Sequence, residues 1–236
     1  MLYTLYYFSY WLLIPAFIFA LWAQIKVQST FNKANRQYTG MTGCAAARRI
    51  LDANGLSHVR IERVAGHLTD HYDPRANVIR LSQNVYDNNS AAAVGVAAHE
   101  AGHAVQYATG YSAVRLKSAI IPVCQVGSYA AMPLFLLGIF ISYMGESGGT
   151  LGTALMLAGI LFYSFATLLQ LVTLPVEFDA SRRAMAALED GRTMSDSELR
   201  ASRSVLSAAA MTYVAALVTS LLSLLRLILI FSGRRK

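Results

Sequence analysis

Two uncharged apolar stretches, 119–143 and 151–174, are separated only by Met144-Gly145-Glu146-Ser147-Gly148-Gly149-Thr150. An α-helix rises about 1.5 Å per residue, so either stretch is long enough to cross roughly 30 Å of hydrocarbon. The link permits nothing but a tight turn, so the pair is expected to form a transmembrane hairpin with both outer ends on one side. Gly127, Gly138, Gly152 and Gly159 fall within it. Small residues of this kind let membrane helices approach closely.

Two further apolar segments flank the hairpin. Segment 2–25 has no charge and no positive leader in front of it, so it reads as a retained anchor and not a cleaved signal peptide. Tyr3, Tyr6, Tyr7, Tyr10 and Trp22 suit the bilayer interfaces. Segment 205–231 contains only Arg226, which can snorkel. With 14% charged residues, the chain is too apolar for a soluble domain, where about a quarter is usual. The expected class is a mainly α membrane protein with about four transmembrane helices and a small α+β cytoplasmic domain. Its divisions are an anchor at 1–25, the α+β domain at 26–118, the hairpin at 119–174, a helical segment at 175–204, and a last membrane segment with a basic tail at 205–236.

The net charge of +7 has two readings. Nucleic-acid binding is set aside, because no basic stripe interleaves with exposed aromatics. Basic residues beside apolar segments instead mark the cytoplasmic side and contact anionic lipid. Lys26, Lys33, Arg36, Arg115 and Lys117 in one polar region, and Arg182, Arg183, Arg200 and Arg203 in the other, put both regions in the cytoplasm. One feature objects: a single crossing by 205–231 would leave Arg234, Arg235 and Lys236 outside. Cys44 and Cys124 sit in dissimilar surroundings and are read as unpaired packing residues.

Within 26–118, residues 42–54 have a helical pattern stopped by Asn54-Gly55, and 58–64 alternates as a strand. Asp73-Pro74 marks a turn, and 77–82 reads as a second strand. An edge position for that second strand would let it align an extended peptide by strand addition, and an ordinary core strand fits the same residues equally well. Asp87-Asn88-Asn89-Ser90 offers caps for a helix over 91–108.

The middle of that helix holds His99-Glu100-Ala101-Gly102-His103, an H-E-x-x-H motif. Residues four apart share a helix face, so two imidazoles can grip one zinc ion and the glutamate can reach its water. A catalytic zinc takes three protein ligands. Glu177 is the best-placed third, because the hairpin returns the chain to the side of the H-E-x-x-H helix. Asp179 is the next choice, and His67, Asp70 or His71 form a further set in a turn ahead of Asp73-Pro74. In the chemistry expected, zinc activates a water, Glu100 takes its proton and later delivers it to the leaving amine, and a peptide bond is hydrolysed. An additional donor to the oxyanion can come from His71, Tyr72 or Arg182, among which the residues do not choose. His58 is read as an ordinary polar residue.

Several stretches together carry a resemblance: His71-Tyr72-Asp73-Pro74, the run Val-Ile-Arg-Leu-Ser at 78–82, the run Ala-Ala-His-Glu-Ala-Gly-His-Ala-Val-Gln at 97–106, and the run Leu-Pro-Val-Glu-Phe-Asp-Ala-Ser at 174–181. With them the chain resembles the YugP-type neutral zinc metallopeptidases of bacterial membranes, and more distantly the HtpX-like membrane zinc proteases. The second likeness rests on H-E-x-x-H, a membrane hairpin, and then E-x-x-A-D. It implies a zincin of the glutamate-ligand class with Glu177 on the metal. It matches Ala180 and departs at Ser181, where the pattern has an aspartate, so Ser181 or Asp179 is expected to take over that carboxylate's support of a ligand.

The function expected is an integral-membrane zinc endopeptidase on the cytoplasmic face, and the HtpX likeness implies a setting in membrane-protein quality control. Its partners would be a protein or peptide substrate and the lipid bilayer, with room for a membrane-protein partner or a homo-oligomer. One competing class is a non-proteolytic membrane adaptor that retains a zinc site. Against it stands Glu100, a general base that a purely structural site does not need. Another is a zinc amidase acting on a non-protein amide.

Overall fold

The computed structural model describes residues 11–144 and 148–234. The elements run in the order α1 (Leu13–Ala34), α2 (Gly43–Ala53), β1 (Arg60–Val64), β2 (His71–Asp73), β3 (Val78–Ser82), α3 (Gln83–Tyr86), α4 (Ala91–Ala108), α5 (Ser112–Ile141), α6 (Gly148–Asp190) and α7 (Asp196–Arg234). The fold is mainly helical with one small sheet. Among the described residues, α5, α6 and α7 are long and apolar enough to cross a membrane. The first ten residues of the expected anchor lie outside the described residues, as do 145–147 of the hairpin turn.

The chain divides into two units, one made of 1–22, 116–173 and 213–236, the other of 23–115 and 174–212. The 43 residues of α6 measure about 65 Å at 1.5 Å per residue, about twice the hydrocarbon thickness. One helix therefore serves both units, with 148–173 in the first and 174–190 in the second. Pro175, close after the junction, lacks an N–H and so leaves the Leu171 carbonyl without its helical donor.

In the first unit, α5 and α6 pack backbone to backbone. A Cβ on Gly138 would lie 2.7 Å from the Gly152 carbonyl oxygen, and one on Gly159 would lie 2.8 Å from the Ala131 carbonyl oxygen. Phe135, Met156, Leu227 and Phe231 form an apolar cluster that brings in α7. The buried Thr167 and Ser220 hydroxyls, 2.8 Å apart, pair between α6 and α7 within this unit.

In the second unit, the sheet order is β1-β3-β2, with β1 parallel and β2 antiparallel to β3. Its core joins Leu51 of α2, Ile79 and Leu81 of β3, Val94 and Ala98 of α4, and Ala184 and Leu188 of α6. The Ser202 hydroxyl of α7 donates to the Ala91 carbonyl at 2.7 Å, tying α7 to the start of α4.

One open alternative is decided here and one expectation is corrected. The strand over 77–82 is not at an edge: β3 is central, with partners on both sides. Its Val78, Ile79 and Leu81 are fully buried, which fits a middle strand. Nor is His71 in a turn: it begins β2, pairing with Arg80. Three residues are too few for alternation to reveal a strand. β2 is held instead by its ladder to β3 and by Tyr72 packing edge-on against Tyr107 of α4, with ring centroids 5.6 Å apart. Both cysteines are free.

Candidate metal centre

The site is built on α4. Ser90 caps the helix by accepting a hydrogen bond from the Ala93 N–H at 3.2 Å, and alanines dominate its first turns, where they cost no side-chain entropy. One turn separates His99 from His103, whose ring centroids are 4.7 Å apart at an interplanar angle of 81°. Glu100, between them in sequence, is buried.

Gly102 lets the second half of α6 come close. A Cβ there would stand 2.6 Å from the Ala180 carbonyl oxygen, so a side chain at 102 would force the helices apart. The approach brings Glu177 to the histidines. Its Oε2 lies 3.3 Å from His99 Nε2 and 3.5 Å from His103 Nε2. All three ligand atoms fall within 4.8 Å of one another. Zinc bonds of about 2.0–2.2 Å in a tetrahedron place neighbouring ligand atoms roughly 3.3–3.6 Å apart, so the two imidazoles and one carboxylate fit zinc in type, and the distances from Glu177 to each imidazole fit it in spacing.

Electrostatics agree. Burial works to lower the His103 imidazole, but the Glu177 and Glu100 carboxylates outweigh it and raise the group above its usual value. Burial works to raise the Glu177 carboxyl, but hydrogen bonds from His103 and His99 hold it well below the usual carboxylate range. The cluster is an anion set against two bases, and it favours a cation, whether proton or metal.

Each histidine has a partner on its far nitrogen. His99 Nδ1 lies 3.1 Å from Ser181 Oγ. His103 Nδ1 lies 3.0 Å from Gln106 Oε1. The Gln106 amide donates to the Val176 carbonyl at 2.8 Å and to Asp179 Oδ2 at 2.9 Å. Asp179 in turn accepts from Arg183 Nε at 2.6 Å and from Arg182. Thus Ser181 touches a candidate ligand directly, and Asp179 reaches the other through an amide.

The remaining candidates lie elsewhere. His71 on β2 has Nδ1 2.8 Å from the Thr69 carbonyl and Nε2 3.4 Å from Arg80, outside the three-residue cluster. Asp70 accepts hydrogen bonds from the Ser82 N–H and hydroxyl. The His67 ring meets Phe31. Reading the sequence assigned Gln106 no role. The available signal was a polar side chain three residues after His103 on a helix whose neighbouring positions are apolar.

The site defines the class first: a membrane-associated chain with a two-histidine, one-glutamate cluster suited to a divalent metal. The family model described as "Putative neutral zinc metallopeptidase" matches residues 9–232, and the chain belongs to that family. It is 44% identical over 226 residues to "Putative membrane protease YugP" of Bacillus subtilis (strain 168), covering 95% of this chain and 96% of that one. No solved structure matches.

Proposed function

We propose that this chain is a multi-pass membrane zinc endopeptidase of the glutamate-ligand zincin type, with His99, His103 and Glu177 as metal ligands and Glu100 as general base. The observation that carries the reading is the convergence of three ligand atoms within 4.8 Å, with the buried Glu100 in the same helical turn. Family membership supports the zinc and the peptidase chemistry.

When bound, zinc supplies Lewis acidity for a water and for a peptide carbonyl. The Glu100 carboxylate takes one proton from the attacking water as its oxygen adds to the carbonyl carbon. The same group returns that proton to the amide nitrogen as the C–N bond breaks. Ser181 orients His99, and Asp179 acts on His103 through Gln106. His71, with its ring engaged by Thr69 and Arg80, has no role in this scheme.

Basic residues such as Lys26, Arg115 and Lys117 beside the apolar segments support a cytoplasmic site, and the HtpX likeness supports unfolded membrane proteins as substrates. The test is Glu100→Gln in the full-length protein. Zinc content and unfolding temperature are expected to stay near wild type, while cleavage of an unfolded model protein falls at least about 100-fold. Equal cleavage by the two proteins would sink the reading.

A further inference from the structure

The geometry points to a phosphate-binding site in the second unit, in the cavity between the end of α1 and the start of α7. The inference does not depend on the metal centre, which is built on α4 and α6.

The cavity holds about 250 Å³. On α7 its lining residues Ser197, Arg200, Ala201 and Ser204 follow the i, i+3, i+4, i+7 rhythm of one helical face. Lys33, Ala34 and Gln37, at the end of α1 and just past it, line the other wall. The alanines let the two segments meet. Ala34 is buried with Phe31, Ala92 and Val205, and Ala201 packs against the same cluster. The Gln37 wall is fixed from behind, where its carbonyl accepts from the Ala91 N–H at 2.7 Å. Core packing therefore shapes the floor, and exposed side chains supply the rim.

The charges on that rim have one sign. Lys33 and Arg200 are the charged residues of the lining, and no carboxylate joins them. Among the described residues neither has a carboxylate at ion-pair distance, whereas Arg183 and Arg203 of the same unit each meet one. Two cations sharing a cavity repel each other, and an anion between them relieves the repulsion. The Gln37 amide and the Ser204 hydroxyl add neutral donors, while the Thr30 hydroxyl is already given to the Lys26 carbonyl at 2.6 Å. A guanidinium, an ammonium and an amide together suit an anion with several oxygens better than chloride. Size narrows the choice. The volume is roughly that of eight waters at about 30 Å³ each, and it falls below the roughly 300–1,000 Å³ of pockets for larger ligands. A single phosphate group fits, free or at the end of an ester, and a whole nucleotide does not. Asp196, one turn before Arg200, is the competing anion, and Glu198 is engaged by the Ser195 N–H at 2.7 Å.

The experiment titrates inorganic phosphate into the full-length protein in detergent micelles and follows the heat of binding. Chloride keeps the ionic strength constant. Saturable binding in the millimolar range or tighter is expected. Lys33→Gln and Arg200→Gln should each weaken it at least about 5-fold, and the double variant should abolish it. Both side chains are exposed, so the fold does not depend on them. Lys33→Arg should keep most of the affinity, and Asp196→Asn should raise it. No saturable binding to the wild type would overturn the proposal. So would unchanged affinity in the double variant, because the anion would then sit elsewhere. A parallel titration in nanodiscs separates the two sources of the group. Phosphatidic acid that displaces inorganic phosphate, where phosphatidylcholine does not, assigns a lipid headgroup, and undiminished phosphate binding assigns a soluble ligand. Either result upholds the site.

Discussion

The α5–α6 pair in the first unit and the α4–α6 pair in the second use the same device to different ends. In the first, Gly138 and Gly152 each present bare backbone to the other, a Cβ on either falling within 2.7 Å of the opposite carbonyl oxygen. In the second, Gly102 meets the Ala180 backbone just as closely. Lipid is as apolar as the side chains it would replace, so tight packing is itself what holds the hairpin together. Around Gly102 the close approach is a means of delivery, since it sets Glu177 and Ser181 against the two histidines. Close helix packing therefore makes a support in one unit and a reactive cluster in the other. The difference is the imidazole and carboxylate side chains on the facing turns, which segments 119–143 and 151–174 lack.

The strongest way to break this contrast is Gly102→Ala. The added methyl meets backbone, which cannot swing aside, so α6 must shift. Zinc affinity should drop at least about 100-fold, or about 2.7 kcal/mol, by titration against a competing chelator. Unchanged affinity would mean that Gly102 does not set the ligand spacing.

A smaller effect is expected from Gly152→Leu. Overpacking at the hairpin should lower stability by about 1–3 kcal/mol in detergent unfolding, with zinc affinity left near wild type. A parallel loss of zinc would show that the two units are not separable in this respect.

The smallest effect belongs to Asp73, on β2 outside the cluster. A hydrogen bond from Arg80 holds its carboxyl below the usual aspartate range. A depressed folded-state pKa means a contribution present above the unfolded value and lost as pH falls through the folded one. Asp73→Asn should therefore narrow the stability difference between neutral and acid pH, slightly because the group is only half-buried, without altering zinc binding at neutral pH. Acid unfolding curves of both proteins would check this.

Local features were legible and paired ones were not. The α4 helix follows from its cap and its alanines, and the one-turn spacing of His99 and His103 needs no tertiary information. Glu177 could be reached from the sequence because an expected hairpin would return the chain to the side of the H-E-x-x-H helix. β2 was missed because three residues carry no period, and only the ladder to β3 and the contact with Tyr107 make it a strand. Residues 77–82 stayed open between an edge and a core strand because strand order depends on a partner, β2, that had gone unseen. Gln106 went unread because the groups it satisfies, Val176 and Asp179, lie far along the chain.

By itself the sequence determined that the chain carries helices long and apolar enough to cross a membrane, that two imidazoles share one helical face, and that a glutamate stands between them. Those properties depend on residues within a few turns of one another. Only the tertiary structure decided which carboxylate completes the cluster, how closely α6 approaches at Gly102, and which partner holds each histidine ring. Those depend on close contacts between remote segments, such as Glu177 Oε2 at 3.3 Å from His99 Nε2, set by the packing of the second unit's core.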